Sequence, residues 1–307
     1  MKNDILILAD DFSDQSLAGR ARSGILRKYG VLAAQALNLQ VEIIFVNSTP
    51  KKYWTAKKIK SKNQETLKVE SAALEYFNKN SIQANVIHRF GSPAEEILLH
   101  LENRRNVKLV LIGTKGRTGI KNLVLGSVAE EVLRNIRLPT IIIGPEAMKS
   151  KTFSQLGSKT KTLLLSDFSK SAIRAEKFAM NLIKDLNCHL TFLNCLGDKI
   201  FKTRMSLYSS GYVPLNLDQI FLDMKKQSSI GLKKRNVLWK KNEVNITAQI
   251  STSEEPIEHT FDKKMKDKFD LVVMGTHGRS PIMKAFIGSA TRKIILRSPI
   301  PVIIVPN

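Results

Sequence analysis

The sequence predicts an α/β protein built as two tandem, doubly wound parallel sheets of five strands each. Three observations lead there. Short β-branched runs alternate with longer helical patterns along the whole chain. The chain repeats its own plan after about 150 residues, too long a period for a solenoid. Each copy also carries a glycine-bearing loop at the same point of the alternation, between its fourth strand and fourth helix.

The elements follow in order. The first strand falls near 4–9, where the run ILILA is stopped by Asp10 and Asp11, and a helix near 14–37 follows. Strands near 41–46, 83–88, 107–112 and 140–143 then alternate with helices near 61–79, 93–104 and 127–137. The second half repeats this with strands near 161–166, 189–195, 244–250, 270–274 and 301–305. Its helices fall near 170–186, 218–240, 255–267 and 289–297, and residues 196–217 read as a long irregular loop. Strands as apolar as Leu109–Ile112 and Leu271–Met274 fit a parallel sheet covered on both faces. Right-handed crossovers make that sheet doubly wound, and ligands of such sheets bind beyond the carboxyl ends of the strands, where strand order reverses. Thr140–Ile143 and Pro301–Val305 are almost wholly apolar and close their halves, so they read as edges that need cover. Pairing of these two strands within the chain gives a pseudo-dimer, with further self-association left open.

The repeat sets the domain expectation: 1–147 and 160–307, joined by a polar linker at 148–159. Composition sets the outer bounds. At 43% hydrophobic and 25% charged, the 307-residue chain is too apolar to be globally disordered. No apolar run reaches the length of a membrane span, and the run at Ile5–Ala9 is too short for a signal peptide. Cys188 and Cys195 are too few for a disulfide framework. If both flank one strand they stand about 23 Å apart, beyond bridging distance. Reduced thiols and a cytoplasmic location are the expectation. The formal charge of +22 points to anionic partners or to a solvated lysine-rich surface. Both halves share the excess, which favours the surface reading.

The loops carry the chemistry. Gly113-Thr-Lys-Gly116 leads after nine residues to Gly126-Ser127, and Gly275-Thr-His-Gly278 leads after nine to Gly288-Ser289. Both obey G-x-x-G-x9-G-[ST], which is neither a Walker A loop nor a dinucleotide fingerprint. Glycines between a strand end and a helix start let backbone amides approach an anion, and the helix N-terminus adds donors and positive potential. The same glycines also serve as ordinary turns, and Ser127 with Glu130 fits a capping box. No acid–base pair or activated nucleophile emerges. His88, His100, His189 and His259 lack metal spacing and read as exposed polar residues. Lys115, Arg117, His277 and Arg279 read as cations beside the loops.

With these motifs the chain resembles the universal stress protein family of UspA type over nearly its whole length, as two tandem domains. The loop motif resembles that family's ATP-binding signature, Asp11-Phe12-Ser13 resembles its feature after the first strand, and Gly91-Ser92-Pro93 its turn into the third helix. The resemblance implies a Rossmann-like sandwich of the adenine nucleotide alpha hydrolase-like kind. It implies an ATP site between first and fourth strands, with magnesium as an optional companion and no metal bound by the protein itself. In the first half, Asp11 and Ala9 would meet adenine and ribose, and Val46 would line the adenine pocket. Ile112, Gly113, Gly116, Gly126, Ser127 and Val128 would carry the loop. The matching residues in the second half are Asp167, Cys195, Met274, Gly275, Gly278, Gly288, Ser289 and Ala290. The second half departs from the pattern at 251–257, STSEEPI, where the family has a Gly-x-Pro turn. The implied function is an adenine-nucleotide-binding stress protein that senses or stores ATP and signals through partners or self-association. It would be at most a slow ATPase, since no water-positioning base is evident. The alternatives are a dimerisation scaffold without nucleotide, or a basic nucleic-acid-binding protein. The second stands lower because no helix-turn-helix or aromatic RNA-binding motif is present. No membrane partner is expected.

Overall fold

The computed structural model describes residues 4–12, 17–48, 56–114, 125–149, 156–211, 216–241, 246–251, 257–265, 268–276 and 287–306. The chain divides for the most part at Leu156–Gly157 into two compact units.

The first unit runs β1 (Ile5–Ala9), α1 (Leu17–Leu37), β2 (Gln40–Asn47), α2 (Ala56–Lys79), β3 (Ala84–Phe90), α3 (Pro93–Glu102), β4 (Val107–Gly113), α4 (Ser127–Asn135) and β5 (Thr140–Ile143). A single 3-10 turn follows at Ala147–Lys149. Its strands lie in the order β3-β2-β1-β4-β5, all parallel. Two crossovers run outward from β1 to β3, the third runs back past β1 to β4, and the fourth continues the same way to β5. With right-handed connections this puts α1 and α2 on one face and α3 and α4 on the other. Leu6, Ile7, Leu8, Ile43, Leu109, Leu111 and Ile142 are almost wholly buried, as strands covered on both faces must be. β3, at the edge, is half-exposed, and its Phe90 is open to solvent.

The second unit runs β6 (Lys161–Leu165), α5 (Lys170–Leu186), β7 (His189–Cys195), α6 (Gly197–Ser209), α7 (Leu217–Lys241), β8 (Ile246–Ser251), α8 (Ile257–Met265), β9 (Leu271–Gly275), α9 (Ser289–Arg297) and β10 (Val302–Val305). Its strands lie in the order β10-β9-β6-β7-β8, again parallel, which is the same winding. One expectation is corrected. Residues 197–209, read as irregular loop, form α6. Leu196 and Ile200 bury against Phe221, with Leu217 and Met224 beside them, and this small separate core holds the helix. The i, i+4 pair of apolar residues was legible, but its partners lie across a turn on α7.

Helix ends follow local chemistry. Ser169 caps α5, its Oγ accepting from the Ala172 amide at 3.1 Å. Asn38 and Asn187 adopt left-handed φ values of 51° and 48° just past α1 and α5, the position where glycine or asparagine ends a helix. Gly91 (φ 146°) makes the turn into α3, its amide donating to the Asn47 carbonyl at 3.1 Å.

Candidate functional site

In both units strand order reverses at the strand that begins the unit. Ala9 at the end of β1 lies in register with Ile44 of β2 and Ile112 of β4, and Leu165 lies in register with Leu193 and Met274. The crevice at these carboxyl ends is the expected ligand position of such a sheet. Of the sequence-derived residues, the fold brings Ala9, Asp11, Val46, Ile112, Gly113, Gly126, Ser127 and Val128 to the strand ends and helix start of unit 1. Asp167, Cys195, Met274, Gly275, Gly288, Ser289 and Ala290 take the matching places in unit 2. Gly116, Gly278, Lys115, Arg117, His277 and Arg279 lie outside the described residues, as does the turn at Glu255-Pro256.

The glycine loops are closed in the same way in both units. The Thr114 amide donates to Ile143 at 3.1 Å, and its carbonyl accepts from the Gly126 amide at 2.8 Å. Thr276 repeats this with Val305 at 3.3 Å and Gly288 at 3.0 Å. Both threonines are buried. They staple the two ends of each loop together, so that strand end and helix start stay side by side. Gly126 is the N-cap of α4 and no side chain caps it. The capping-box reading of Ser127 is therefore corrected: Ser127 is the first helical residue and its side chain is exposed. A helix start without a side-chain cap keeps its first-turn amides for an outside acceptor. Gly288 and Ser289 show the same graded exposure at the start of α9.

The segment after the first strand of each unit is strained in the same way. Phe12 and Phe168 have φ of 46° and 63°, values that bulky residues rarely adopt and that cost about 1–3 kcal/mol. Phe12 is held there by its amide donating to Asp10 Oδ1 at 2.9 Å and by its ring stacking on Phe45 at 4.9 Å. Asp10 also accepts from Ser23 Oγ and from Arg27 Nε, each at 2.9 Å, and the Arg27 guanidinium lies 5.6 Å from the Phe12 ring centre. Burial pushes the Asp10 carboxyl up from its ordinary value, against the pull of Arg27.

Unit 2 solves the same problem with other residues. The Phe168 amide donates to Ser166 Oγ at 3.1 Å, and Ser166 donates to Glu176 at 2.6 Å. Glu176 accepts from Arg235 Nε at 2.6 Å, and Arg235 stacks 4.2 Å from the Phe168 ring centre. Counted back from the left-handed asparagines, Glu176 stands where α1 carries Arg27. The carboxylate has moved from strand end to helix, and the guanidinium has moved to α7. Asn194 joins this network, donating to the Ser166 carbonyl at 2.7 Å and accepting from Ser228.

The two aspartates chosen from sequence lie just outside these networks. Asp11 is half-buried and pairs with Arg22 at 3.1 Å. Asp167 accepts from the Ser169 amide at 2.9 Å, a short turn that leads into α5. Sequence reasoning missed Asp10, Arg27, Thr114, Glu176, Arg235 and Thr276. The Gly-Thr pair in both loops and the Asp10-Asp11 doublet were visible signals. The partnership of Glu176 with Arg235 was not, because it needs α5 and α7 together. The reading of all histidines as exposed is also corrected. His100 is buried on α3 with its Nε2 against Glu42, which Arg104 also reaches, while Arg89 lies 3.1 Å from its Nδ1. Among the described residues no group of three His, Cys, Asp or Glu could hold a metal ion, and no helix is long and apolar enough to cross a membrane. Cys188 and Cys195 are both free thiols.

The model of the universal stress protein family matches residues 3–144 and matches again at 160–306. The chain belongs to the universal stress protein family. It is 35% identical over 80 residues to universal stress protein YxiE of Bacillus subtilis, a stretch covering 26% of this chain and 53% of that one. It is 36% identical over 86 residues to a universal stress protein of Methanocaldococcus jannaschii, covering 28% and 48%. The chain thus spans about half the length of the curated relatives it matches. A solved universal stress protein from Archaeoglobus fulgidus shares the fold over 100% of this chain and 97% of its own, with a TM-score of 0.69 at 20% identity. Membership of the universal stress protein family supports a role in stress response.

Proposed function

We propose that this universal stress protein binds an adenine nucleotide, ATP, in each half, and passes its loading state to partners through association. Each half acts as one binding domain, 1–147 and 160–307, with 148–159 as the joint. The observation that carries this reading is the matched pair of crevices. In each, a buried threonine staples a glycine loop beside a helix start, next to a strained phenylalanine under a guanidinium. Strain kept twice, by different residues, suggests that the conformation serves a ligand.

The residues present fit a nucleotide. The first-turn amides of α4, with no side-chain cap at Gly126, suit phosphate oxygens, and the exposed Ser127 hydroxyl can donate to them. Asp11 and Asp167 suit ribose hydroxyls or the adenine edge. Ala9, Val46, Ile112, Gly113 and Val128 in the first half, and Cys195, Met274, Gly275 and Ala290 in the second, supply the apolar walls. Gly116 and Gly278 complete the loops. Magnesium would be carried by the phosphates, since carboxylates beyond these aspartates are absent from both motifs. The chemistry ATP supplies is binding energy and charge, and the residues bind, orient and shield it. The test is titration of the full chain with ATP and magnesium. Gly126→Ala and Gly288→Ala should each weaken one site, because a Cβ there stands between the amides and phosphate. Unchanged affinity in both variants, with intact circular dichroism, would remove the assignment.

A further inference from the structure

The excess positive charge has a concentrated outlet on α7. One face of this helix is packed into the second unit through Phe221, Ser228, Leu232 and Trp239. The opposite face is open, and it is not an ordinary polar surface. Leu222, Ile230 and Val237 are 56%, 38% and 71% exposed along it. At helical spacing they alternate with the exposed Lys226, Lys233, Lys240 and Lys241, and Lys234 borders them. None of these five lysines has an ion pair with another described residue. Asp223 is the one acidic residue of α7 on this face, and Gln219 donates to it at 3.1 Å. From Leu222 to Lys241 the stripe is about 28 Å long.

We propose that this face of α7 docks on an anionic lipid surface. Charge complementarity selects an anionic partner, and the interleaved apolar side chains select among anionic partners. A nucleic acid gains nothing from exposed Leu, Ile and Val, and the stripe has neither the arginine nor the aromatic side chains that contact bases. A second copy of the chain would set lysine against lysine. A partner that wraps a basic amphipathic helix is blocked, because the other face is locked in the core. A plane fits: lysine stems lie along it with their ammonium groups at the phosphates, and the three aliphatic side chains enter between headgroups. This contact is peripheral and needs no spanning helix.

The test is sedimentation of the full-length protein with vesicles of phosphatidylcholine alone or mixed with phosphatidylglycerol. Binding is expected to the mixed vesicles only, and to fall steeply as salt is raised. Lys226→Glu/Lys233→Glu/Lys241→Glu should abolish it. Ile230→Ser/Val237→Ser, which keeps every charge, should weaken it by about tenfold. Lys226→Gln/Lys233→Gln/Lys241→Gln, a gentler change, should weaken it without reversing charge. Absence of wild-type binding at low salt overturns the proposal, as does binding that ignores all three variants. Equal binding of duplex DNA with the same lysine dependence, and no effect of the serine variant, overturns it in favour of a nucleic-acid surface.

Discussion

Asp10 and Arg27 are almost entirely withdrawn from water, with side-chain exposures of 0% and 9%, and neither suits burial alone. Their value lies in being a pair, and in holding Phe12 at a φ it would otherwise leave. Burial raises the Asp10 carboxyl above its ordinary value of 3.8. A raised acid contributes most to stability below that value and loses the contribution as pH climbs through its folded pKa. Arg27 limits that loss. Arg27→Ala should therefore destabilise the protein by about 3–5 kcal/mol at neutral pH and much less near pH 4. Urea denaturation of wild type and variant at several pH values reads the difference, and a gap that does not widen with pH would contradict this account. In unit 2 the acid is Glu176, and removing Arg235 also strips the guanidinium from the Phe168 ring. Arg235→Ala should lower nucleotide affinity in that half as well as stability, because the strained turn beside the crevice loses its cover. Separate titration of an Arg235→Ala/Gly126→Ala double variant isolates that half.

At the scale of elements, α4 is a helix left open at its start. Glycine is already a tolerated N-cap, so Gly126→Asp should change stability by no more than about 0.5 kcal/mol. The same substitution fills the amides with a fixed carboxylate and repels phosphate, so ATP affinity in that half should fall at least tenfold. Thermal melts and calorimetric titration separate the two effects, and equal ATP affinity would show that the helix start is not the phosphate site. The element α6 rests on the small core of Leu196, Ile200 and Phe221. Phe221→Ala should release the amides of α6 to fast hydrogen exchange while those of β6 and β7 keep their protection. Loss of protection throughout the unit would mean that this core is continuous with the main one. Such elements also mark what the sequence made legible. Every strand among the described residues could be read, because β-branched runs as apolar as Leu109–Ile112 have few other homes. The helix at 197–209 could not, because Leu196 and Ile200 bury against Phe221 of α7 and not within the segment. The glycine loop was legible as a motif, since its spacing is local and repeated. The cover over Phe168 was not, since Ser166, Glu176 and Arg235 are brought together only by folding.

For the molecule as a whole, duplication kept the backbone plan and changed the chemistry around it. Both units place a Gly-Thr at the end of the fourth strand and a Gly-Ser at the start of the fourth helix. Both hold a left-handed phenylalanine after the first strand, and neither uses the other's residues to do it. If both halves bind nucleotide as proposed, buried networks as different as these predict two sites of unequal affinity from one fold. The second unit carries α6 and the exposed lysine-bearing face of α7, so the proposed lipid contact belongs to that half. The measurement that tests the central claim most directly is calorimetric titration of the full chain with ATP and magnesium, repeated on Gly126→Asp and Gly288→Asp. The account predicts two molecules of ATP per chain with distinguishable affinities, and the loss of one site in each variant. No binding to the wild-type chain, or a stoichiometry that both variants leave untouched, would contradict it.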